Sequence, residues 1–156
     1  MAKKAPSDNL VCVNRKASYR FEIIEQFECG LALHGPEVKS LREKACSLEE
    51  AYARIERGEM WLIGFHIASY KFTQSSEQEP MRRRKVLLHA RELRKIRPKV
   101  EQRGLTLVPL RIYFNDRGLA KITIALARGK RLYDKRQEQR ARDHQREVDG
   151  AMRKQR

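Results

Sequence analysis

The chain has 156 residues and a formal net charge of +15, with 35 Lys/Arg against 20 Asp/Glu, so it is sized for one domain and strongly cationic. No apolar run approaches the ~18 residues of a membrane span, and the opening Met1-Ala2-Lys3-Lys4 lacks the apolar core of a secretion signal. A cationic body attracts polyanions, and a membrane surface is the poorer match because the sequence offers no amphipathic helix with a broad apolar face.

Residues 1–9 read as a flexible basic arm. Tyr19, Phe21 and Ile23 alternate with Arg20 and Glu22, and Phe27, Cys29, Leu31 and Leu33 form a second alternating run, so two strands are expected. Gly35-Pro36 punctuates the chain, and Glu37 to Lys44 predicts a short helix with Val38 and Leu41 on one face. Ser47-Leu48-Glu49-Glu50 has capping-box spacing. Residues 51–56 and 60–68 predict a hairpin turning at Arg57-Gly58, with Trp61, Ile63, Phe65 and Ile67 on one face and His66 on the wetter one. Residues 69–82 have loop composition. The basic cluster Arg82-Arg83-Arg84-Lys85 leads into Val86-Leu87-Leu88. Leu93, Ile96 and Val100 give a helical stripe over Ala90–Arg103, ended by Gly104, with Pro98 expected to kink or restart it. Val108, Leu110, Ile112 and Phe114, the turn Asn115–Gly118, and Ile122, Ile124 and Leu126 make the clearest hairpin. Short antiparallel strands need closure to hide their edges. The pattern therefore predicts a mainly β fold, an OB-like six-stranded antiparallel barrel with about three peripheral helices and a basic C-terminal tail. An open α+β sheet is the competing layout.

From Arg128 onward there are 11 Lys/Arg against 5 Asp/Glu, one aromatic (Tyr133) and no proline. Such a segment has little to bury and reads as a basic tail, residues 129–156, disordered when free. Ala141, His144, Val148 and Met152 form a narrow helical stripe, and Glu138 and Arg142 an i,i+4 pair, which suits a helix formed against a partner.

Catalytic readings are thin. Glu37-Val38-Lys39 matches the Glu-x-Lys half of a Mg²⁺-dependent nuclease motif, in which carboxylates hold the metal and the lysine steers water. That chemistry needs a further carboxylate and places both residues on a strand, whereas here they open a predicted helix. His34, His66, His89 and His144 have no metal spacing. Cys12, Cys29 and Cys46 lack CxxC spacing and are expected as free thiols, a zinc site with His34 being the alternative. Nucleic-acid binding has better support. Asn14-Arg15-Lys16 precedes Tyr19 and Phe21, and Arg82 to Lys85 precedes Leu87, so cations stand beside side chains that can lie flat on a base.

Asn14-Arg15-Lys16-Ala17, Phe27-Glu28-Cys29-Gly30, Gly35-Pro36-Glu37-Val38-Lys39-Ser40-Leu41-Arg42, Arg84-Lys85-Val86-Leu87-Leu88-His89, Thr106-Leu107-Val108-Pro109-Leu110 and Ala127-Arg128-Gly129-Lys130-Arg131-Leu132-Tyr133-Asp134-Lys135-Arg136 together resemble the SmpB family, over nearly the whole chain. The resemblance implies an OB-like barrel without enzymatic activity or cofactor. It implies a cytoplasmic monomer that binds the tRNA-like part of transfer-messenger RNA. That complex, with elongation factor Tu on the alanylated RNA, enters stalled 70S ribosomes, and the tail becomes helical there. The RNA-gripping positions carried over are Asn14, Arg15, Lys16, Tyr19, Phe21, Glu28 and Leu87, with Arg84, Lys85 and Lys121 on phosphates. Gly129 becomes a hinge. Lys130, Arg131, Tyr133, Asp134, Lys135 and Arg136 fall at the decoding centre, and Met152 and Arg153 lie further along the empty message channel. Phe21 stands where the family commonly has tyrosine, and Pro98 where it has glycine.

Overall fold

A computed structural model describes residues 9–72, 78–130 and 132–154; the side chains of residues 102–103 and 132–135 are outside that description. The order is β1 (Leu10–Val13), α1 (Ala17–Arg20), β2 (Phe21–Leu31), α2 (Gly35–Arg42), β3 (Cys46–Ser47), β4 (Tyr52–Glu56), β5 (Glu59–Ile63), β6 (His66–Ile67), β7 (Arg84–Leu87), α3 (Ala90–Arg103), β8 (Thr106–Phe114), β9 (Ala120–Gly129) and α4 (Leu132–Lys154). Six strands close on themselves in the order β2-β9-β8-β4-β5-β7 and back to β2, all antiparallel. The expected six-stranded barrel is therefore what these residues form. Closure leaves no continuous open edge, which is how strands this short avoid edge-to-edge pairing. One edge of β8 is taken by β9; β4 and β1 share the other, β4 at Leu107 and β1 at Arg111–Tyr113. Helices α1, α2 and α3 belong to the body, and α4 is the tail.

The barrel is filled by Met60, Leu62, Val86, Leu107, Ile112, Ile122, Ile124 and Leu126. Leu41 of α2, Ile96 of α3 and Phe65 add to the same core. Three local features reset which face a side chain takes. The register of β2 slips between Ile23 and Glu25, so the two runs expected as separate strands are one strand carrying a bulge. Before the bulge Phe21 and Ile23 face a small second cluster; beyond it Phe27, Cys29 and Leu31 face the main core. A similar slip between Pro109 and Arg111 sends Val108 and Leu110 to the second cluster while Ile112 and Phe114 turn inward, so these four do not share one face. Gly64, at φ +75°, breaks the phase after β5. Met60 and Leu62 are thus the inward residues of β5, and Trp61 and Ile63 lie outside, opposite to the expected phase; Phe65 and Ile67 are buried beyond the break.

The β4–β5 turn has Arg57 at φ 51° and Gly58 at φ 74°, the paired left-handed residues of a type I′ hairpin. In the β8–β9 turn the Asn115 Oδ1 accepts the N–H groups of Arg117 (3.0 Å) and Leu119 (2.8 Å). Helix α3 runs unbroken through Pro98 and ends on Gly104 in the left-handed region, so the proline neither stops nor restarts it. The capping-box residues at Ser47–Glu50 do not start a helix; Ser47 ends β3 and its hydroxyl accepts the Glu49 N–H at 3.4 Å. The reciprocal arrangement is met instead at α2, where Glu37 reaches back to the His34 N–H at 2.9 Å. His34 and His89 occupy helix N-cap positions, and all four histidines are exposed. Of the 69–82 loop, residues 73–77 lie outside the described residues, as do residues 1–8 of the expected arm. The loop's return segment is anchored: the Ile67 N–H donates to the Pro80 carbonyl at 3.0 Å and the Tyr70 N–H to Gln78 Oε1 at 2.9 Å.

Candidate nucleic-acid interface

Strand alternation decides which basic residues meet solvent. On β7, Arg84 and Val86 point inward while Lys85 and Leu87 point outward. Leu87 is 48% exposed. On β2 the outward positions are Glu28 and Gly30; on β9 they are Lys121 and Thr123; on β8, Arg111 and Tyr113, with Thr123 (5% exposed) and Tyr113 (9%) covered by their neighbours. Register aligns them in two rows. Leu87 lies opposite Gly30, Gly30 opposite Lys121, and Lys121 opposite Tyr113. Alongside, Glu28 lies opposite Thr123 and Thr123 opposite Arg111, whose Nε reaches the Thr123 hydroxyl at 3.4 Å. Three expected residues far apart in sequence (Glu28, Leu87 and Lys121) thus share one outer face of four adjacent strands.

Gly30 permits this. A Cβ there would meet the Leu87 Cβ at 3.3 Å, so a side chain would push against the leucine. Burial, and next the Glu28 carboxylate beside it, push the Tyr113 hydroxyl above its ordinary range, so Tyr113 stays a protonated donor to Glu28. The face therefore offers an exposed apolar plate, a carboxylate beside a protonated phenol, and flanking cations. Lys85 stands beside it with Nζ 3.0 Å from Glu59 Oε1. Arg111, Tyr113 and Thr123 were not expected at the interface; single polar residues on alternating strands look like any solvent face until register is known.

Two expected contacts are corrected. Arg84 is fully buried. Its Nε donates to Glu37 Oε2 at 2.6 Å, and its two Nη atoms donate to the carbonyls of Phe65 (2.5 Å) and Pro80 (3.1 Å). Inward alternation and these acceptors make it a structural cation with no route to a phosphate. Asn14 is 8% exposed. Its Nδ2 donates to the Pro109 carbonyl at 3.0 Å and its backbone N–H to that of Leu110 at 2.7 Å. It ties β1 to β8 and holds the turn into α1 instead of facing outward. Its Oδ1 finds no hydrogen-bond partner among the described residues.

Glu37 is occupied as well. Arg82 Nη2 meets its other oxygen at 2.5 Å. Burial alone would raise this carboxyl, but the hydrogen bonds from Arg82, the His34 N–H and Arg84 hold it below the ordinary carboxylate range. Lys39 points elsewhere, its Nζ 5.4 Å from the Tyr70 ring centroid. Both residues lie on α2, so the metal-and-water pairing of the nuclease motif is not assembled. Among the described residues no cluster of three His, Cys, Asp or Glu could hold a metal.

A second cationic surface surrounds α1. Arg15 and Lys16 are exposed, and Tyr19 is 38% exposed. Phe21 is half-buried against Ala17, Val108 and Ala127. The tail leaves beside it. Gly129 pairs with Phe21 as the last residue of β9, and the Lys130 N–H donates to the Arg20 carbonyl at 2.9 Å. Lys130 Nζ donates to the Ser18 carbonyl at 2.7 Å and contacts Glu138 of α4. The Arg142 guanidinium stands 6.0 Å from the Tyr19 ring centroid, and Arg142 lies 3.9 Å from Glu138. Arg136, Met152 and Arg153 are exposed along α4. Arg131 and the side chains of Tyr133, Asp134 and Lys135 lie outside the described residues. No described helix is long and apolar enough to cross a membrane.

A closed basic barrel with an apolar-and-cationic outer face defines a nucleic-acid-binding protein of the OB-like kind. The model of the SmpB protein family matches residues 11–154, and the chain belongs to that family. It is similar to the SsrA-binding protein of Rhodopirellula baltica, 46% identical over 152 residues, which are 97% of this chain and 86% of that protein. It is 49% identical over 140 residues to the SsrA-binding protein of Rhizobium etli, covering 90% and 88% of the two chains. Among solved structures, a chain described under "tmRNA-SmpB: a journey to the center of the bacterial ribosome" aligns with a TM-score of 0.65 at 50% identity. That alignment covers 78% of this chain and 85% of the other.

Proposed function

We propose that this chain is an RNA-binding adaptor of trans-translation. It binds the tRNA-like domain of transfer-messenger RNA and delivers it to stalled ribosomes. The reading rests on the alignment of Leu87, Glu28 and Lys121 on one face, in a chain whose relatives are named SsrA-binding proteins. Leu87 packs flat against an unstacked base, and Glu28, steadied by Tyr113, accepts hydrogen bonds from a base edge. Lys121, Arg111 and Lys85 neutralise phosphates, and Arg15, Lys16 and Tyr19 extend the contact around α1. The tail enters the decoding centre with Lys130 to Arg136, and Met152 and Arg153 lie along the empty message channel. Off the ribosome the distal turns of α4 fray, because a solvent-exposed helix with so narrow an apolar stripe is marginal by itself. The protein works as a cytoplasmic monomer alongside elongation factor Tu on the alanylated RNA, and it does no bond-making chemistry itself.

The test separates body from tail. Glu28→Arg is expected to weaken binding of the tRNA-like RNA, and the wild-type affinity to fall steeply with salt. A chain ending at Arg128 is expected to bind that RNA normally yet fail to support tagging on stalled ribosomes. If the truncation abolished RNA binding, this division of labour would be wrong.

A further inference from the structure

Helix α3 begins three residues after Leu87 and carries six Lys/Arg against two Glu. Its apolar stripe is used inside the protein: Ile96 is fully buried, and Leu93 and Val100 pack against the main core. Residues at i, i+3, i+4 and i+7 share one helical face. Here Arg91, Arg94, Lys95 and Pro98 form the face opposite that stripe, and all four are exposed. The cations to either side are already partnered. Arg97 Nε meets Glu101 Oε1 at 3.0 Å, and Lys99 Nζ meets Glu25 Oε2 at 2.9 Å, which ties the helix to β2. On the rest of the body Lys16, Arg54, Arg83, Lys85 and Arg128 each stand within 3.9 Å of a carboxylate. Arg91, Arg94 and Lys95 make no ion pair among the described residues. Arg94 is steadied by its Nε on the Ala90 carbonyl at 3.3 Å, which leaves its Nη groups to reach outward.

We propose that the Arg91–Arg94–Lys95 face of α3 is a second RNA contact, which takes the sugar-phosphate backbone of the same RNA that the four-strand face holds. This rests on the RNA-binding reading above and adds to it a surface outside the barrel strands. Arg91 is four residues beyond Leu87, so their Cα atoms are at most about 14 Å apart. A strand leaving a base packed on Leu87 therefore meets the helix within a few nucleotides. Arg91 and Lys95 stand one turn apart, about 6 Å along the axis. A nucleic-acid duplex carries a charge about every 1.7 Å of its own axis, so several phosphates fall within that span. Three cations without carboxylate partners need give up no ion pair to bind them. The face has no aromatic or carboxylate to read a base, so the contact is independent of sequence, and discrimination stays with Glu28 and Leu87. A lipid surface fits this helix less well. A basic helix seated on a membrane needs its apolar face free, and that of α3 lies in the core.

The experiment compares two full-length triple variants of equal net charge. One is Arg91→Gln/Arg94→Gln/Lys95→Gln. The other, Lys44→Gln/Arg57→Gln/Arg117→Gln, removes three exposed cations from other parts of the body. Binding to the tRNA-like domain of transfer-messenger RNA is measured over a range of salt, with thermal melts to confirm folding. The α3 triple is expected to bind about tenfold more weakly or worse near physiological salt. Its plot of log affinity against log salt should be shallower by about 2–3. A base-substituted form of the same RNA should lose affinity by the same factor, as befits a contact to phosphate. The control triple is expected to stay within about twofold of wild type, with the wild-type slope. Equal losses in the two triples would mean that net charge alone acts, and would overturn the proposal. So would a wild-type affinity and slope in the α3 triple. Weaker pelleting of that variant with ribosomes or with phosphatidylserine vesicles, its affinity for the tRNA-like RNA unchanged, would give the face to another partner and overturn it too. Glu28→Arg, measured alongside, keeps the two readings apart: if it weakens binding and the α3 triple does not, only the α3 contact falls.

Discussion

Arg84 Nε and Glu37 Oε2 lie 2.6 Å apart, joining β7 to the first turn of α2. The arginine side chain is wholly excluded from solvent and the glutamate nearly so. An ion pair this deep adds little over a well-packed apolar substitute, but losing Glu37 strands the buried Arg84 charge, and losing Arg84 takes one of two guanidiniums from Glu37 and leaves the Phe65 and Pro80 carbonyls without their donor. Arg84→Leu is expected to lower the unfolding free energy by about 3–5 kcal/mol, and the double variant Arg84→Leu/Glu37→Gln by less than the sum of the two single changes. Urea denaturation of the four proteins checks this.

The same pair sets an acid limit. The folded state holds the Glu37 carboxyl below its ordinary value, so its contribution is fully present above the unfolded value, about 4.3 for a glutamate. It is lost as pH falls through the folded value. The wild-type chain is expected to lose stability faster than Glu37→Gln as pH is lowered below about 4. Thermal midpoints measured against pH would test it, and parallel curves for the two proteins would refute it.

Two turn positions give changes of opposite sign. At Gly64 a Cβ would lie 2.6 Å from the Glu50 carbonyl oxygen, on a backbone already at φ +75°. Gly64→Ala is expected to destabilise by about 2–3 kcal/mol or more. Arg57 holds φ 51° with a bulky side chain. Arg57→Asn would complete the Asn-Gly pair favoured in type I′ turns and stabilise by roughly 0.5–1 kcal/mol. Denaturant midpoints are enough to read both.

At the interface, Leu87→Ala is expected to reduce RNA affinity about tenfold, the equivalent of roughly 1.4 kcal/mol of lost contact. Gly30→Val should do much the same by displacing Leu87, while leaving the melting temperature within a few degrees. Filter binding alongside thermal melts distinguishes this from general unfolding.

Lys130 is the clasp between tail and body. Lys130→Ala removes its contacts to both the Ser18 carbonyl and Glu138, so faster amide exchange is expected across residues 132–142 with the barrel unchanged. Adding salt to the wild-type chain should move exchange in the same direction, since the Lys130–Glu138 half of the clasp is ionic.

Much of the fold is legible in sequence because β8, β9 and the turn at Asn115–Gly118 alternate so plainly, and because short strands demand closure. Failures occur where phase changes. The bulge in β2, the slip beyond Pro109 and the break at Gly64 each insert an offset that composition does not mark, so Val108, Leu110, Trp61 and Ile63 fall on faces other than those expected. Arg84 departs from its expected exposure for a related reason. In the run Arg82 to Lys85 every residue looks like surface, and only the strand's alternation, with Glu37 brought over from α2, shows which arginine goes inside. The interface was half legible. Leu87 follows from the basic run beside it, and Glu28 and Lys121 from the family resemblance, whereas Arg111, Tyr113 and Thr123 emerge only from cross-strand neighbours.

Between the last residue of β9, Gly129, and the first of α4, Leu132, stand only Lys130 and Arg131. Two residues make a joint, not a tether. Lys130, held by its N–H to the Arg20 carbonyl and by its Nζ to the Ser18 carbonyl, fixes the start of that joint to the barrel's rim. The 23 residues of α4 would extend about 35 Å while helical. Over that length a rotation of about 10° at the joint sweeps the far end through roughly 6 Å, about one helical turn. Small adjustments around Gly129 are therefore magnified at Met152 and Arg153, and the tail acts as a pointer whose bearing is set at the barrel's rim.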